Sequence, residues 1–310
     1  MKKLDSKIFN ENGIILNYYE LKNDKQPLVM LHAQGVCALN FDNVFKALSK
    51  KYHIYAVDCY GHGASLHDKE KYNIRSIGDV IIRFIKSVIN SDVVLLGHSS
   101  GGLLAAYIAA YSDVCEYLFL EDPPLFASQG ERRFQTFNYI DLSSICKSYI
   151  EQKEQEDFVL YYFSRQKAWN FFPEKSRDKI REKMVEMAKK ARKNNPTKDL
   201  KVPFWPKAAL SAFKGMNQYD PYFGLSFYND TFHANLSHQE MLSKINCRTI
   251  IMKAQTSYNA EGVLLAAMNE EDAARAGGLI KNSKIERFEC GHGIHIEEKK
   301  QFVRCLINYM

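Results

Sequence analysis

The sequence predicts an α/β fold: a mostly parallel, doubly wound sheet that carries a helical insertion. Three observations point there. Short apolar runs alternate with helix-period segments as far as Asp122. A helical, aromatic-rich stretch then extends from Pro123 to about Glu240, and strand character returns at Arg248. Between one apolar run and the helix after it stands Gly97-His98-Ser99-Ser100-Gly101-Gly102, a cluster that demands a sharp turn.

The strands are read in order as LVMLH (28–32), IYAVD (54–58), VVLLG (93–97), YLFLED (117–122), RTIIMKA (248–254) and IERFEC (285–290). Runs this continuously apolar suit strands covered on both faces of a parallel sheet. Between them, Phe41, Val44, Phe45 and Leu48 share one helical face, and Ile77, Ile81, Phe84, Ile85 and Val88 share another. Strand-helix alternation implies right-handed crossovers, and ligands in such sheets gather at the carboxyl ends of the strands. Residues 1–122 and 241–310 are therefore expected to form the core, with 123–240 lying over its carboxyl edge as a cap. The cap's aromatics, Phe126, Phe137, Trp169, Phe204 and Trp205 among them, predict a largely apolar pocket.

Composition narrows the function classes. The 310 residues are 46% apolar, enough for a substantial core. The net charge of +6 resides in residues 174–201, where eleven Lys/Arg stand against five Asp/Glu. Acidic residues interleave with the basic ones and apolar residues keep helical spacing, as on a solvated amphipathic helix, so no nucleic-acid partner is expected. The opening MKKLDSKIFNENG lacks the apolar region of a secretory signal, and no run approaches eighteen apolar residues. A cytoplasmic protein without membrane insertion is expected. Seven scattered cysteines, none in a CxxC pair, fit reduced core thiols.

In VVLLGHSSGGLLAAYIAAY a buried-strand pattern leads into G-x-S-x-G and then into a helix pattern. That context puts Ser99 on a strained turn that presents its Oγ, while Gly97, Gly101 and Gly102 let strand and helix approach closely. On these residues the chain resembles the α/β-hydrolase family over nearly its whole length. The resemblance implies hydrolysis of a small or medium, largely apolar ester or lactone through an acyl-enzyme on Ser99. It implies a small-molecule substrate and no cofactor. A ligand-sensing receptor with slow turnover, or a carbon–carbon bond hydrolase or lyase, are the alternatives on this scaffold.

A serine hydroxyl needs a base to take its proton. Family members carry theirs in a loop after the last strand, where this chain reads Gly291-His292-Gly293, so His292 is the expected base, with His295 as the nearby alternative that is otherwise a pocket or support residue. His295 completes an H-x-x-H without the carboxylate or cysteine pattern of a metal site, and no metal is expected. Most relatives place the orienting acid after the next-to-last strand, but KAQTSYNAEG (253–262) contains no Asp, and Glu261 is its first carboxylate. A minority place it after the strand that follows the elbow helix, which ends here in Glu121-Asp122. Asp122 is the expected acid, with Glu121 and Glu261 as alternatives. Strand neighbours face opposite ways, so only one of Glu121 and Asp122 can reach His292.

The family's oxyanion donors imply the N–H of Ser100 and one N–H in His32-Ala33-Gln34-Gly35, either that of Ala33 or, as the alternative, that of Gln34. Family members usually read His-Gly where this chain has His32-Ala33. Candidate substrate contacts are Gln34, His98, His295 and Trp205, although His98, inside the elbow, is expected to point away from Ser99. His62, in the turn after the second strand, is expected at most to line the pocket.

Overall fold

A computed structural model describes residues 4, 6–202, 205 and 207–308, so Phe204 lies outside the described residues. Strands β1 (Ser6–Glu11), β2 (Ile14–Leu21), β3 (Gln26–Leu31), β4 (Tyr52–Val57), β5 (Val93–His98), β6 (Cys115–Glu121), β7 (Arg248–Lys253) and β8 (Ser283–Arg287) form one sheet. Its order is β1-β2-β4-β3-β5-β6-β7-β8. Only the β1–β2 and β2–β4 pairs are antiparallel.

Helices α1 (Asp42–Leu48), α2 (Ile74–Phe84) and α3 (Ser100–Tyr111) belong to the crossovers before β6. Between β6 and β7 come α4 (Ser144–Glu151), α5 (Phe158–Arg165), α6 (Glu174–Asn194), α7 (Lys207–Ser211), α8 (Pro221–Tyr228) and α9 (His238–Ser243). After β7 follow α10 (Glu270–Leu279), α11 (Ile294–Glu297) and α12 (Lys299–Asn308). Among the described residues, no helix is long and apolar enough to cross a membrane.

Alternation along each strand divides the core into two layers. Leu28 and Met30 of β3, with Val94 and Leu96 of β5, pack against Phe45 of α1 and Phe302 of α12. Val29, Leu31, Val93 and Leu95 point the other way, onto Ile77 and Ile81 of α2 and Leu103 of α3. Burial on both faces is the reason these strands read as unbroken apolar runs.

Two local features depart from the sequence reading. The β1–β2 hairpin was not anticipated, although its turn is Asn12-Gly13 with φ of 50° and 81°, the left-handed pair that tight hairpins require. Val88 was expected on the buried face of α2, yet it is 36% exposed. Beyond Phe84 the helix widens into a π turn over Ile85–Ile89, closed by Asn90 N–H donating to the Ile85 carbonyl at 2.8 Å. The wider turn rotates Val88 off that face.

The segment between β6 and β7 has its own aromatic centre, where Trp205 packs edge-on to Trp169 and Phe163 and stacks on Phe172. It is tied to the core by α9, which lies against α3 and α10, and by Tyr72 donating to Asp220 at 2.6 Å. Two buried histidines lock its start. Phe126 N–H donates to His238 Nδ1 at 2.8 Å, the rings of His238 and His233 meet at 3.2 Å, and His233 Nε2 donates to the Ser128 carbonyl at 3.1 Å.

These rings predict a sharp acid sensitivity. Burial pushes His233 down to about 4 and His238 well below the ordinary imidazole value. Burial likewise holds His62 well below it and His98 at about 3. In the folded chain these rings stay neutral, whereas in the unfolded chain they take up protons below about pH 6.5. Stability is therefore lost as pH falls from there, by about 1.4 kcal/mol per pH unit for each ring. The melting temperature should fall steeply between about pH 7 and pH 5. An unchanged melting temperature across that interval would contradict the neutral buried rings.

Candidate active site

The turn after β5 is as crowded as its glycines suggest. A Cβ added to Gly97 would stand 2.2 Å from the Gly101 carbonyl oxygen, and one on Gly101 would stand 2.2 Å from that of Leu31. Between them Ser99 adopts φ 55° and ψ −119°, and its N–H donates to the Glu121 carbonyl at 2.9 Å. Backbone strain of this kind persists only where surroundings impose it, and it swings the side chain off the strand. Among the described residues, none hydrogen-bonds the Ser99 hydroxyl, which faces a cavity of about 330 Å³.

His292 lines the same cavity from the loop after β8. Its Nδ1–H donates to Asp122 Oδ2 at 2.8 Å. That bond fixes the neutral tautomer with the lone pair on Nε2. Burial would lower the imidazole's basicity, but the Asp122 hydrogen bond and the charges of Asp122, Glu121 and Glu297 outweigh it and raise it. Asp122 is itself held tightly. It adopts φ 39° just past β6, its N–H donates to the Met252 carbonyl at 2.9 Å, and its oxygens accept from Ala254 and Ala267 N–H, each at 3.3 Å.

The three candidate acids are thus sorted by position. Asp122 meets His292, Glu121 turns to the other side of β6 and meets His295, and Glu261 lies exposed in the loop after β7. The loop after β3 is held by two histidines. His32 Nδ1 donates to the Ala33 carbonyl at 2.8 Å, and Gly35 N–H donates to His62 Nε2 at 3.1 Å. Because the Ala33 carbonyl is engaged, the Gln34 N–H of the same planar peptide points the opposite way. Ala33, Gln34 and Ser100 all line the cavity.

The other candidate contacts separate. Gln34 lies in the lining, where its Nε2 donates to Tyr219 Oη at 2.9 Å. His98 borders the cavity, but its Nε2–H donates to the His292 carbonyl at 3.0 Å. Two expectations need correction. His295 lies outside the lining and is fully buried, because Glu121 draws it away from the cavity. Trp205 also lies outside it, since the aromatic centre of the inserted segment takes up its ring. His62, too, stands behind the cavity, as a support for the β3 loop. The apolar wall comes instead from Phe137, Leu142, Met216 and Phe227, with Arg133 and Asn138 beside them. Phe137 is one of the aromatics that the sequence assigns to an apolar pocket; sequence reasoning missed the others, and also Asn40, because they reach the cavity from irregular backbone or from separate short helices without a shared period.

The model of the Alpha/beta hydrolase family matches residues 28–304. The chain belongs to that family. A Haemophilus influenzae protein with an esterase/lipase name is 30% identical over 152 residues, which are 47% of this chain and 52% of that one. The pimeloyl-[acyl-carrier protein] methyl ester esterase of Vibrio cholerae is 28% identical over 120 residues, 37% of this chain and 44% of that protein. These matches span about half the length of the curated relatives or less. Among solved structures, the enol-lactonase of Burkholderia xenovorans LB400 superposes with a TM-score of 0.66 at 14% identity, covering 97% of this chain and 98% of that one. At that identity the likeness speaks for the fold alone.

Proposed function

We propose that the protein is a serine hydrolase that opens a small or medium, largely apolar ester or lactone. The observation that carries this reading is the 2.8 Å bond from His292 to Asp122 beside a cavity onto which both His292 and Ser99 face. Ser99 Oγ attacks the substrate carbonyl as its proton passes to His292 Nε2, and the imidazolium that forms is stabilised by Asp122. The oxyanion lies against the Ser100 N–H, at the positive end of the twelve-residue helix α3, and an N–H of the Ala33–Gln34 segment. Proton return from His292 releases the alcohol, and water, activated by the same base, then cleaves the acyl-enzyme. The segment 123–240 acts as the cap, with its apolar wall over the acyl group.

The esterase/lipase and methyl ester esterase names among the sequence relatives support this substrate class. The receptor alternative drew its weight from the missing acid after β7. With Asp122 beside His292, no observation of the structure favours it. A fluorophosphonate probe followed by a panel of p-nitrophenyl esters and lactones tests the reading. The expected result is a single phosphonylated serine, Ser99, together with multiple turnovers. Labelling without turnover would support the receptor instead.

A further inference from the structure

We infer that Glu121 and His295 form a second carboxylate–imidazole pair, in which His295 is a permanent cation that positions the His292 loop. The inference rests on the hydrolase reading above, because the pair bears on turnover only if His292 is the working base.

Hydrogen bonding argues for the charge. Both the backbone N–H of His295 and its Nδ1 lie against Glu121 Oε1, at 2.8 and 2.7 Å. Its other nitrogen, Nε2, faces Asn40 Oδ1 at 3.0 Å. The Asn40 amide cannot be turned round, since its Nδ2 donates to the Ser211 carbonyl at 3.0 Å and a flip would set two oxygens against each other. A neutral imidazole owns one N–H, yet here both nitrogens face acceptors, so both carry hydrogen. The ring is fully buried, and so is its carboxylate partner. A buried charge requires such a partner. Burial alone would push the Glu121 carboxyl up, but His295 and His98 outweigh it and hold it down to about 2.

The pair has a place in the site because Glu121 and Asp122 are consecutive. Their side chains leave opposite sides of the chain at the end of β6 and fasten His295, in α11, and His292, in the loop three residues before it. The same loop is pinned by His98 on the His292 carbonyl, by Asn43 on the His295 carbonyl at 2.7 Å, and by Glu297 on the Gly291 N–H at 3.1 Å. Through Asn40 the chain of bonds continues to Ser211 of the inserted segment, so the seat of the cap and the mounting of the base share one network. The charged or titratable groups around His292 are Asp122, Glu121, Glu297 and His98. His295 balances the second of them.

His98, Glu121 and His295 also bring ligand atoms within 4.8 Å of one another, as a metal site would. A ring protonated on both nitrogens has no lone pair for a metal, so the cluster is read as an ion pair.

Nitrogen-15 spectra of the wild-type protein labelled at its nine histidines test the charge directly. One ring should show hydrogen on both nitrogens, the signature of a charged imidazole. Its absence would overturn the inference, as would a stoichiometric divalent metal that is lost in Glu121→Gln. Turnover supplies a second readout. His295→Gln leaves the Glu121 charge unbalanced and should move the acid limb of kcat/KM upward by about one pH unit. The double variant E121Q/H295Q should bring it back. A rate loss at every pH with a stationary limb would mean a structural role only and would overturn the positioning claim. Where His295→Gln does not fold, the wild-type spectrum decides. The spectrum requires no turnover, so a labelled Ser99 beside a neutral His295 would sink the pair and leave the hydrolase reading intact.

Discussion

Ser99→Ala is expected to abolish fluorophosphonate labelling and to lower ester turnover by on the order of 10⁵-fold or more. On the proposed route all covalent chemistry passes through one oxygen, and neither the proposed base nor the proposed oxyanion donors can use a methyl group. What survives is the rate that binding and the N–H donors give to direct attack by water. The fold should be nearly indifferent to the change. The hydroxyl has no hydrogen-bond partner among the described residues, and alanine meets the same strain at φ 55° that serine does. The decisive comparison pairs turnover with a thermal melt. Catalysis lost with the melt unchanged fits the nucleophile. Labelling that persists in Ser99→Ala would move the nucleophile elsewhere.

Asp122→Asn should cost roughly 10⁴-fold in kcat, while Glu261→Gln stays near wild type. Asp122 Oδ2 accepts from both His292 Nδ1 and the Ala267 N–H, and Oδ1 accepts from Ala254. An amide must put its NH₂ group against one of these sets of donors, which favours the wrong tautomer of His292 or a displaced ring. Whatever activity remains should show its acid limb at lower pH, because the hydrogen bond and charge that raise the imidazole's basicity are gone. Glu261, exposed and bonded through its N–H to Asn259 of its own loop, has no part in that geometry. A crippled Glu261→Gln beside a fully active Asp122→Asn would reverse the assignment.

The two outcomes bear on how far the residues speak for themselves. β3, β5 and β7 are legible because burial on both faces makes their centres, Leu28–Leu31, Val93–Leu96 and Ile250–Met252, continuously apolar, and helix α3 coincides with the apolar SGGLLAAYIAAY. The β1–β2 hairpin was legible in principle at Asn12-Gly13, but its half-exposed strands mix charge with apolar residues and hide the alternation. Val88 was misplaced because a π turn breaks the 3.6-residue period without a local signature. Trp205 looked like a pocket residue on chemistry alone, and an aromatic ring satisfies a cap's own core equally well.

By itself the sequence determined the fold class and singled out Ser99, because crowding at the elbow is a short-range requirement written into adjacent residues; His292 became a candidate through the family resemblance, which places the base in the loop after the last strand. Tertiary structure alone decided which carboxylate meets which imidazole. Alternation along β6 dictates that Glu121 and Asp122 part company, but not which side each histidine occupies. That depends on how a loop some 170 residues later in the chain settles over the end of the sheet, where packing of Phe41 and Phe302 around the His295 ring leaves His292 for the cavity.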